Sequence, residues 1–223
     1  MLLLAADTSG PQGSVALSRA DSYGRIHLLE LVGLTGGAFS AELVPQIASL
    51  LERHGSSKHQ IVAFVVASGP GSFTGLRVGL AAIKGLAEVL TKPIVAVSLL
   101  EAIALQAGVQ GVVVSALDAG RGQVYVGEYR VELNKAEAVR EELVDPEELL
   151  TWLRSSQPAC FITPDESLLR AVGSAEVATQ KIEKPRSERL AEIGWLKLQR
   201  GETVTPEQLE ANYIRRSDAE LKK

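Results

Sequence analysis

The side chains in this sequence that could do chemistry are few and far apart. Its three histidines, His27, His54 and His59, and its single cysteine, Cys160, do not fall at the short spacings that bring several donors onto one metal. No metal site is read from them. His54 closes a helical pattern, where an imidazole meets the exposed carbonyls of a helix end. His27 and His59 flank strand-like runs, with no carboxylate or cysteine partner beside them in the sequence. Cys160 lies in the apolar run 159–163, the setting of a buried core thiol. Ser72 has no histidine near it, and neither a Walker loop nor a G-x-S-x-G elbow occurs. The catalytic set is therefore read as empty.

Two aspartates remain. Asp7 ends the apolar run of residues 2–6 and precedes a turn containing Gly10 and Pro11. Asp118 ends the run 112–117 and precedes Ala119, Gly120, Arg121 and Gly122. An aspartate so placed either caps its own turn through its side chain or orients a cation, and the first use needs no ligand. Thr8, Ser9 and Gly10 resemble a phosphate loop only loosely, and the second turn lacks the run of adjacent glycines that cradles phosphates. A nucleotide site built from Asp7, Thr8, Ser9 and Asp118 is expected to be weak.

The elements that carry these residues can be read from composition and period. At 223 residues, 46% hydrophobic and 22% charged, the chain has ample material for a core of one large or two small domains. Aromatics make up only 4%, so that core is aliphatic. A net charge of −4 and a pI near 5.5 argue against a chain that grips nucleic acid unaided, because phosphate neutralisation needs clustered Lys and Arg. The opening MLLLAADTSG has no basic region, and its apolar run stops at Asp7, too short for a signal peptide or a span. A cytoplasmic chain with no membrane association is expected.

Residues 2–6, 13–17 and 26–32 read as three meandering strands. From 39 to 54, Phe39, Leu43, Ile47, Leu50 and Leu51 recur at helical spacing. The valine-rich run 61–67 is a strand buried on both faces, followed by a helix over 73–90, a strand over 93–97 and a short helix over 99–107. This is the βββαβα order of an actin/Hsp70/sugar-kinase half-domain, a mixed sheet flanked by helices.

The order then restarts: an apolar strand, an aspartate, a glycine turn and a second strand at 124–129. A two-lobed α/β chain is expected, with a first lobe over 1–107, a reduced second lobe over 108–204, and a tail over 205–223 that is helical in part. The second lobe is read as a strand over 138–144, a helix over 146–154, a strand over 159–163 and a helix over 187–200. Residues 165–184 give no clear pattern.

The most informative stretch runs from Ser68 to Leu80, SGPGSFTGLRVGL. Pro70 and Gly71 make a turn, Ser72 or Thr74 can cap the next helix, and Gly75 and Gly79 lie one helical turn apart. Each interior glycine costs a helix roughly 1 kcal/mol relative to alanine, so some neighbour must approach the backbone closely. Three neighbours qualify: the chain's own sheet, a partner helix beside the ridge of Leu76, Leu80 and Ile83, or a phosphate at the helix start.

GPGSFTGLRVGL resembles the signature of the TsaB (YeaZ) family. The opening LLLAADTS, the later ALDAGRGQVYVGEY and the terminal NYIRR resemble its other landmarks in the same order, across residues 2–216. The resemblance implies a two-lobed actin-like fold and a non-catalytic subunit of the bacterial tRNA threonylcarbamoyladenosine synthase. Such a subunit pairs with the transferase TsaD in an assembly that also engages the ATPase TsaE and modifies adenosine 37 of certain tRNAs. Transfer RNA is then met only through the complex, and ATP and metal belong to the partner subunits. The implied partner face comprises Leu43, Ile47 and Leu50 on one helix and Gly75, Leu76, Gly79, Leu80 and Ile83 on the other. Left bare, such a face would also favour a homodimer. Gly79→Arg is expected to abolish association and leave the monomer folded. Catalytic relatives carry two histidines four residues apart on the first-lobe helix, and GAFSAELVPQIASLLERH has no such pair. The alternative is a small ATP-dependent kinase or ATPase of the same superfamily, built on Asp7 and Asp118.

Overall fold

A computed structural model of the chain describes residues 1–173 and 175–214. The first half forms β1 (Leu2–Asp7), β2 (Gly13–Ala20), β3 (Ile26–Leu34), α1 (Phe39–Arg53), a 3-10 turn (Lys58–Gln60), β4 (Ile61–Gly69), α2 (Phe73–Leu90) and β5 (Ile94–Ser98). The strands lie in the order β3-β2-β1-β4-β5, antiparallel from β3 to β1 and parallel from β1 to β5. Every residue of β1 is buried, as its central place requires, and its sequence is accordingly apolar up to Asp7.

Alternate residues of these strands feed opposite faces. Leu2, Leu4, Ala6, Phe64 and Val66 join Leu43, Ile47 and Leu50 of α1 and Leu76, Leu80 and Ile83 of α2 in one core. The other face is covered by α6 (Ser187–Gln199), which packs on all five strands. Gly194 of α6 lies directly on the Val65 side chain, where a Cβ would stand 2.5 Å from a methyl carbon.

The second sheet is built from β6 (Gly111–Gly120), β7 (Gln123–Glu132), β8 (Lys135–Val144), β9 (Cys160–Thr163) and β10 (Thr179–Lys181). Read from the β8 edge, its order, β8-β7-β6-β9-β10, and its strand senses repeat those of the first sheet position for position. The sequence repeat is therefore a repeat of topology. Between these strands lie α4 (Pro146–Ser156) and α5 (Glu166–Ala171), whose Leu149, Trp152, Leu153 and Leu168 pack on Val114, Val126 and Phe161. On the other face sits α3 (Leu99–Ala104), all six residues buried. The unclear stretch 165–184 resolves into α5 and the three-residue β10, both too short to show a period.

The two compact units are not the contiguous stretches expected. Among the described residues, one comprises 1–98 with 185–212, the other 99–184 with 213 and 214. Helix α3 joins the second sheet and α6 the first, because an apolar helix goes to whichever sheet face it can bury, and sequence adjacency does not choose it. Residues 205–212 are likewise no separate tail. Val204 pairs with Ile94, Leu209 is buried in the first core, and the Asn212 amide donates to the Ser68 carbonyl at 2.8 Å. Residues 207–214 contain no helix. The expectation of a partly helical tail otherwise concerns residues 215–223, outside the described residues, as do the two arginines of the NYIRR landmark.

Candidate functional site

The signature stretch leaves β4 through Gly69, Pro70 and Gly71 and enters α2 at Ser72, whose hydroxyl accepts from the Gly75 amide at 3.2 Å as the helix N-cap. The glycines that follow are explained by the loop after β1. A Cβ at Gly71 would meet the carbonyl and side chain of Ser9, one at Gly75 the carbonyl of Thr8, and one at Gly79 the hydroxyl of Thr8. The Thr8 hydroxyl donates to the Gly75 carbonyl at 2.7 Å, and the Ser72 amide donates to the Ser9 carbonyl at 2.7 Å. Of the three neighbours that could require the glycines, the chain's own strand end is the one in place.

This corrects the expected partner face. Leu43, Ile47, Leu50, Leu76, Leu80 and Ile83 are all core residues, Leu80 being the most exposed at 7%, and Gly75 and Gly79 are buried beneath Thr8. The periodic stripe of an amphipathic helix marks its buried face, and here the sheet buries it. Gly79→Arg would drive a side chain into Thr8 and disrupt the fold of the monomer.

What α1 and α2 present outward is a different set of residues. The two helices pack against each other on one side of the sheet, leaving Ala41, Val44 and Ala48 of α1 and Ala81, Gly85 and Val89 of α2 exposed. Val44 is 47% and Val89 79% exposed. Unlike its predecessors, Gly85 faces open space: a Cβ there would meet nothing within 4 Å. An interior helical glycine costs roughly 1 kcal/mol against alanine, and nothing inside the chain requires this one. Sequence reasoning passed over Gly85 because it follows the series at 71, 75 and 79, whose spacing drew attention to the buried side.

Asp7 and Thr8 are likewise engaged by the chain through their side chains, and Ser9 through its backbone, its buried hydroxyl having no hydrogen-bond partner among the described residues. All three are buried, and Asp7 Oδ1 accepts from the Ser9 amide at 2.8 Å, capping its own turn. In the other unit, Asp118 is exposed. Its Oδ1 accepts from the Gly120 amide at 2.7 Å, while its amide donates to Asp165 Oδ2 at 2.7 Å. Ser9 packs against the start of α2 so closely that no methyl group could be added at Gly71.

The histidines have partners that the sequence did not reveal. His54 stands at the C-terminal end of α1, but its Nε2 lies 2.9 Å from Glu30 Oε2 on β3, and Arg53 holds Oε1 of the same carboxylate at 2.7 Å. The Arg53 hydrogen bond, aided by His54, holds Glu30 below the ordinary glutamate range. His27 lies 3.0 Å from Asp21 Oδ2, and this contact lowers the Asp21 carboxyl. Asp21 is six residues before His27, brought round by the β2–β3 turn. His59 belongs to the exposed 3-10 turn. Burial pushes the Cys160 thiol above its ordinary value. Among the described residues, no group of three His, Cys, Asp or Glu side chains converges as metal ligands would.

Two sheets of identical order, each an antiparallel meander continued by parallel strands and flanked by helices, define an actin/Hsp70/sugar-kinase-type protein. The sugar-kinase likeness extends to the ROK hexokinase of Thermus thermophilus, which matches at a TM-score of 0.56 over 90% of this chain and all of that one, at 13% identity, a likeness of fold alone. A structure of YeaZ from Pseudomonas aeruginosa matches at a TM-score of 0.76 with 27% identity, over 95% of this chain and 99% of that one. The Bacillus subtilis tRNA threonylcarbamoyladenosine biosynthesis protein TsaB is 32% identical over the whole of this chain and 97% of its own length. The Escherichia coli protein of the same name is 34% identical over 60% of this chain and 57% of its own. The family model for TsaD, tRNA N6-adenosine threonylcarbamoyltransferase, matches residues 34–223. The chain belongs to the TsaB (YeaZ) family, which shares its domain type with that transferase. No helix among the described residues is long and apolar enough to cross a membrane.

Proposed function

We propose that the chain acts in tRNA threonylcarbamoyladenosine biosynthesis as a non-catalytic subunit that pairs with a TsaD transferase through the outward face of α1 and α2. The observation that carries this reading is Gly85, a glycine on the exposed face of α2 that the chain itself does not need, exposed as are Ala81 and Val89 of the same helix and Val44 and Ala48 of α1. Small residues on two adjacent helices let other helices approach at short interaxial distance, and the exposed valines supply apolar area for burial. The relatives named for this biosynthesis and the match to the transferase family supply the pathway and the kind of partner.

The non-catalytic assignment rests on side chains. His27 and His54 are paired with Asp21 and Glu30, Cys160 is buried, and Asp7, Thr8 and Ser9 are turned into the chain's own packing. Among the described residues these leave no convergent group of metal-ligating acids, histidines or thiols, and on this reading ATP and metal chemistry falls to the partner subunits. The kinase or ATPase alternative is less favoured, since Thr8 and Ser9 are packed against Gly71, Gly75 and Gly79 of the chain itself. The net charge of −4 favours contact with tRNA only through the assembled complex, in which the ATPase TsaE also takes part, and all of this proceeds in the cytoplasm. Without its transferase, the same helical face would pair two copies of this chain.

Mixing the purified chain with its cognate TsaD and running the mixture on size exclusion tests the reading directly. Co-elution is expected, and Val44→Arg or Ala81→Arg should abolish it while leaving the far-UV circular dichroism and melting temperature of the chain unchanged. Separate elution of the wild-type proteins, or undiminished association of both arginine variants, would sink it.

A further inference from the structure

We infer that Thr8 is a positioning residue that sets the standoff of α2 from the sheet, and through α2 the shape of the outward helical face. This rests on the partner reading above. Thr8 follows β1, the central strand of the first sheet, whose residues are all buried between β2 and β4 and cannot shift without breaking pairings on both sides. Its hydroxyl donates to the Gly75 carbonyl at 2.7 Å, and the same oxygen lies only 2.4 Å from where a Cβ on Gly79 would stand. Two successive turns of α2 therefore rest on one side-chain oxygen.

The distance makes Thr8 specific. An O–H···O contact is comfortable at 2.7 Å, whereas a carbon meets a carbonyl oxygen no closer than about 3.3 Å. A valine of nearly the same shape would place a methyl group where the hydroxyl is. Because β1 is fixed, the first turns of α2 would have to retreat by roughly half an ångström. Ala81 and Gly85 ride on the same helix, so the surface offered to a partner moves with it. Serine keeps the oxygen and the standoff.

The experiment measures the dissociation constant for the cognate TsaD subunit by calorimetry on full-length variants. Thr8→Val is expected to weaken association by at least about tenfold, and Thr8→Ser to stay within about threefold of wild type. Gly79→Ala presses a methyl on the same oxygen from the helix side and should weaken association comparably. Adding Thr8→Ala to it vacates that space and should restore binding, and the melting temperature of each variant is followed alongside to separate binding from stability. Leu153→Ala, in the core of the other unit, supplies a destabilised control expected to bind normally. Wild-type affinity in Thr8→Val, or no recovery in the Gly79→Ala, Thr8→Ala pair, overturns the role of Thr8. If Thr8→Val does not fold, the glycine pair decides alone. Undiminished binding by Val44→Arg and Ala81→Arg would instead show that the helical face is not the partner surface, a separate failure.

Discussion

Thr8 and Gly75 are joined by a 2.7 Å hydrogen bond from the threonine hydroxyl to the glycine carbonyl, which ties the end of β1 to the first turn of the signature helix. Gly71, Gly75 and Gly79 exist to let that strand end approach, and Gly85, six to fourteen residues further along the chain, has no such neighbour. The helix thus carries glycines for two reasons on two faces.

Those two reasons separate under mutation. Gly79→Arg should give an unfolded or aggregated chain, because the side chain has no exit past Thr8. Gly85→Ala should raise stability by about 1 kcal/mol through helix propensity while weakening association with the transferase. Urea unfolding of each variant, together with the binding assay, checks both; a Gly85→Ala chain that is stabler and binds equally well would remove the case for a close helix crossing there.

The carboxylate of Glu30 should make stability pH-dependent. Its pKa is depressed below the ordinary 4.5, first by Arg53 and then by His54, so its contribution is fully present above the unfolded value and disappears as pH falls through the folded one. Glu30→Gln is expected to melt below wild type near neutrality and to converge with it under acid conditions. Melting curves across pH 3 to about 7 test this, and a constant gap would assign the loss to something other than ionisation.

A buried hydroxyl pair anchors α6. Ser14 and Ser187 share an Oγ–Oγ contact of 2.8 Å, Ser187 Oγ donates to the Ser14 carbonyl at 2.7 Å, and the Ser187 amide donates to Ser14 Oγ at 3.0 Å. Ser14→Ala strands the amide at the start of α6 and should cost about 1–3 kcal/mol. Urea denaturation would register that as a lower midpoint with an unchanged slope.

Cys160 should be inert in the native state. It is buried and its thiol titrates above the ordinary value, so thiolate is scarce and access is poor. Labelling by a thiol reagent is expected to follow global unfolding; fast reaction in native buffer would contradict the burial.

Much of the fold was legible because strands and helices write their own periods. The apolar run before Asp7, the valine-rich β4 and the helical stripe of Phe39, Leu43, Ile47 and Leu50 each declare an element through its buried residues. The restart of the pattern at Asp118 announced the second sheet, whose strand order repeats the first. Short elements such as α5 and β10 stayed hidden, since six and three residues complete too few turns or alternations to show a period.

The candidate site was less legible, and for a related reason. Periodicity records that Leu76, Leu80 and Ile83 are buried but carries no label for what buries them, so a core stripe and a partner stripe look alike along the chain. Pairings such as His27 with Asp21 or His54 with Glu30 depend on how a turn brings strands and helices together.

By itself, then, the amino-acid sequence determined the longer elements, their order, the restart of the pattern and the scarcity of catalytic side chains, all of which follow from local hydrophobic pattern and residue identity. Only the tertiary structure decided that α3 joins the second sheet and α6 the first, that Thr8 fills the notch in α2, and that Ala81 and Gly85 are left facing solvent. Those outcomes are set by which surfaces meet across long sequence separations, where the free energy of burial depends on the partner surface and not on the segment alone.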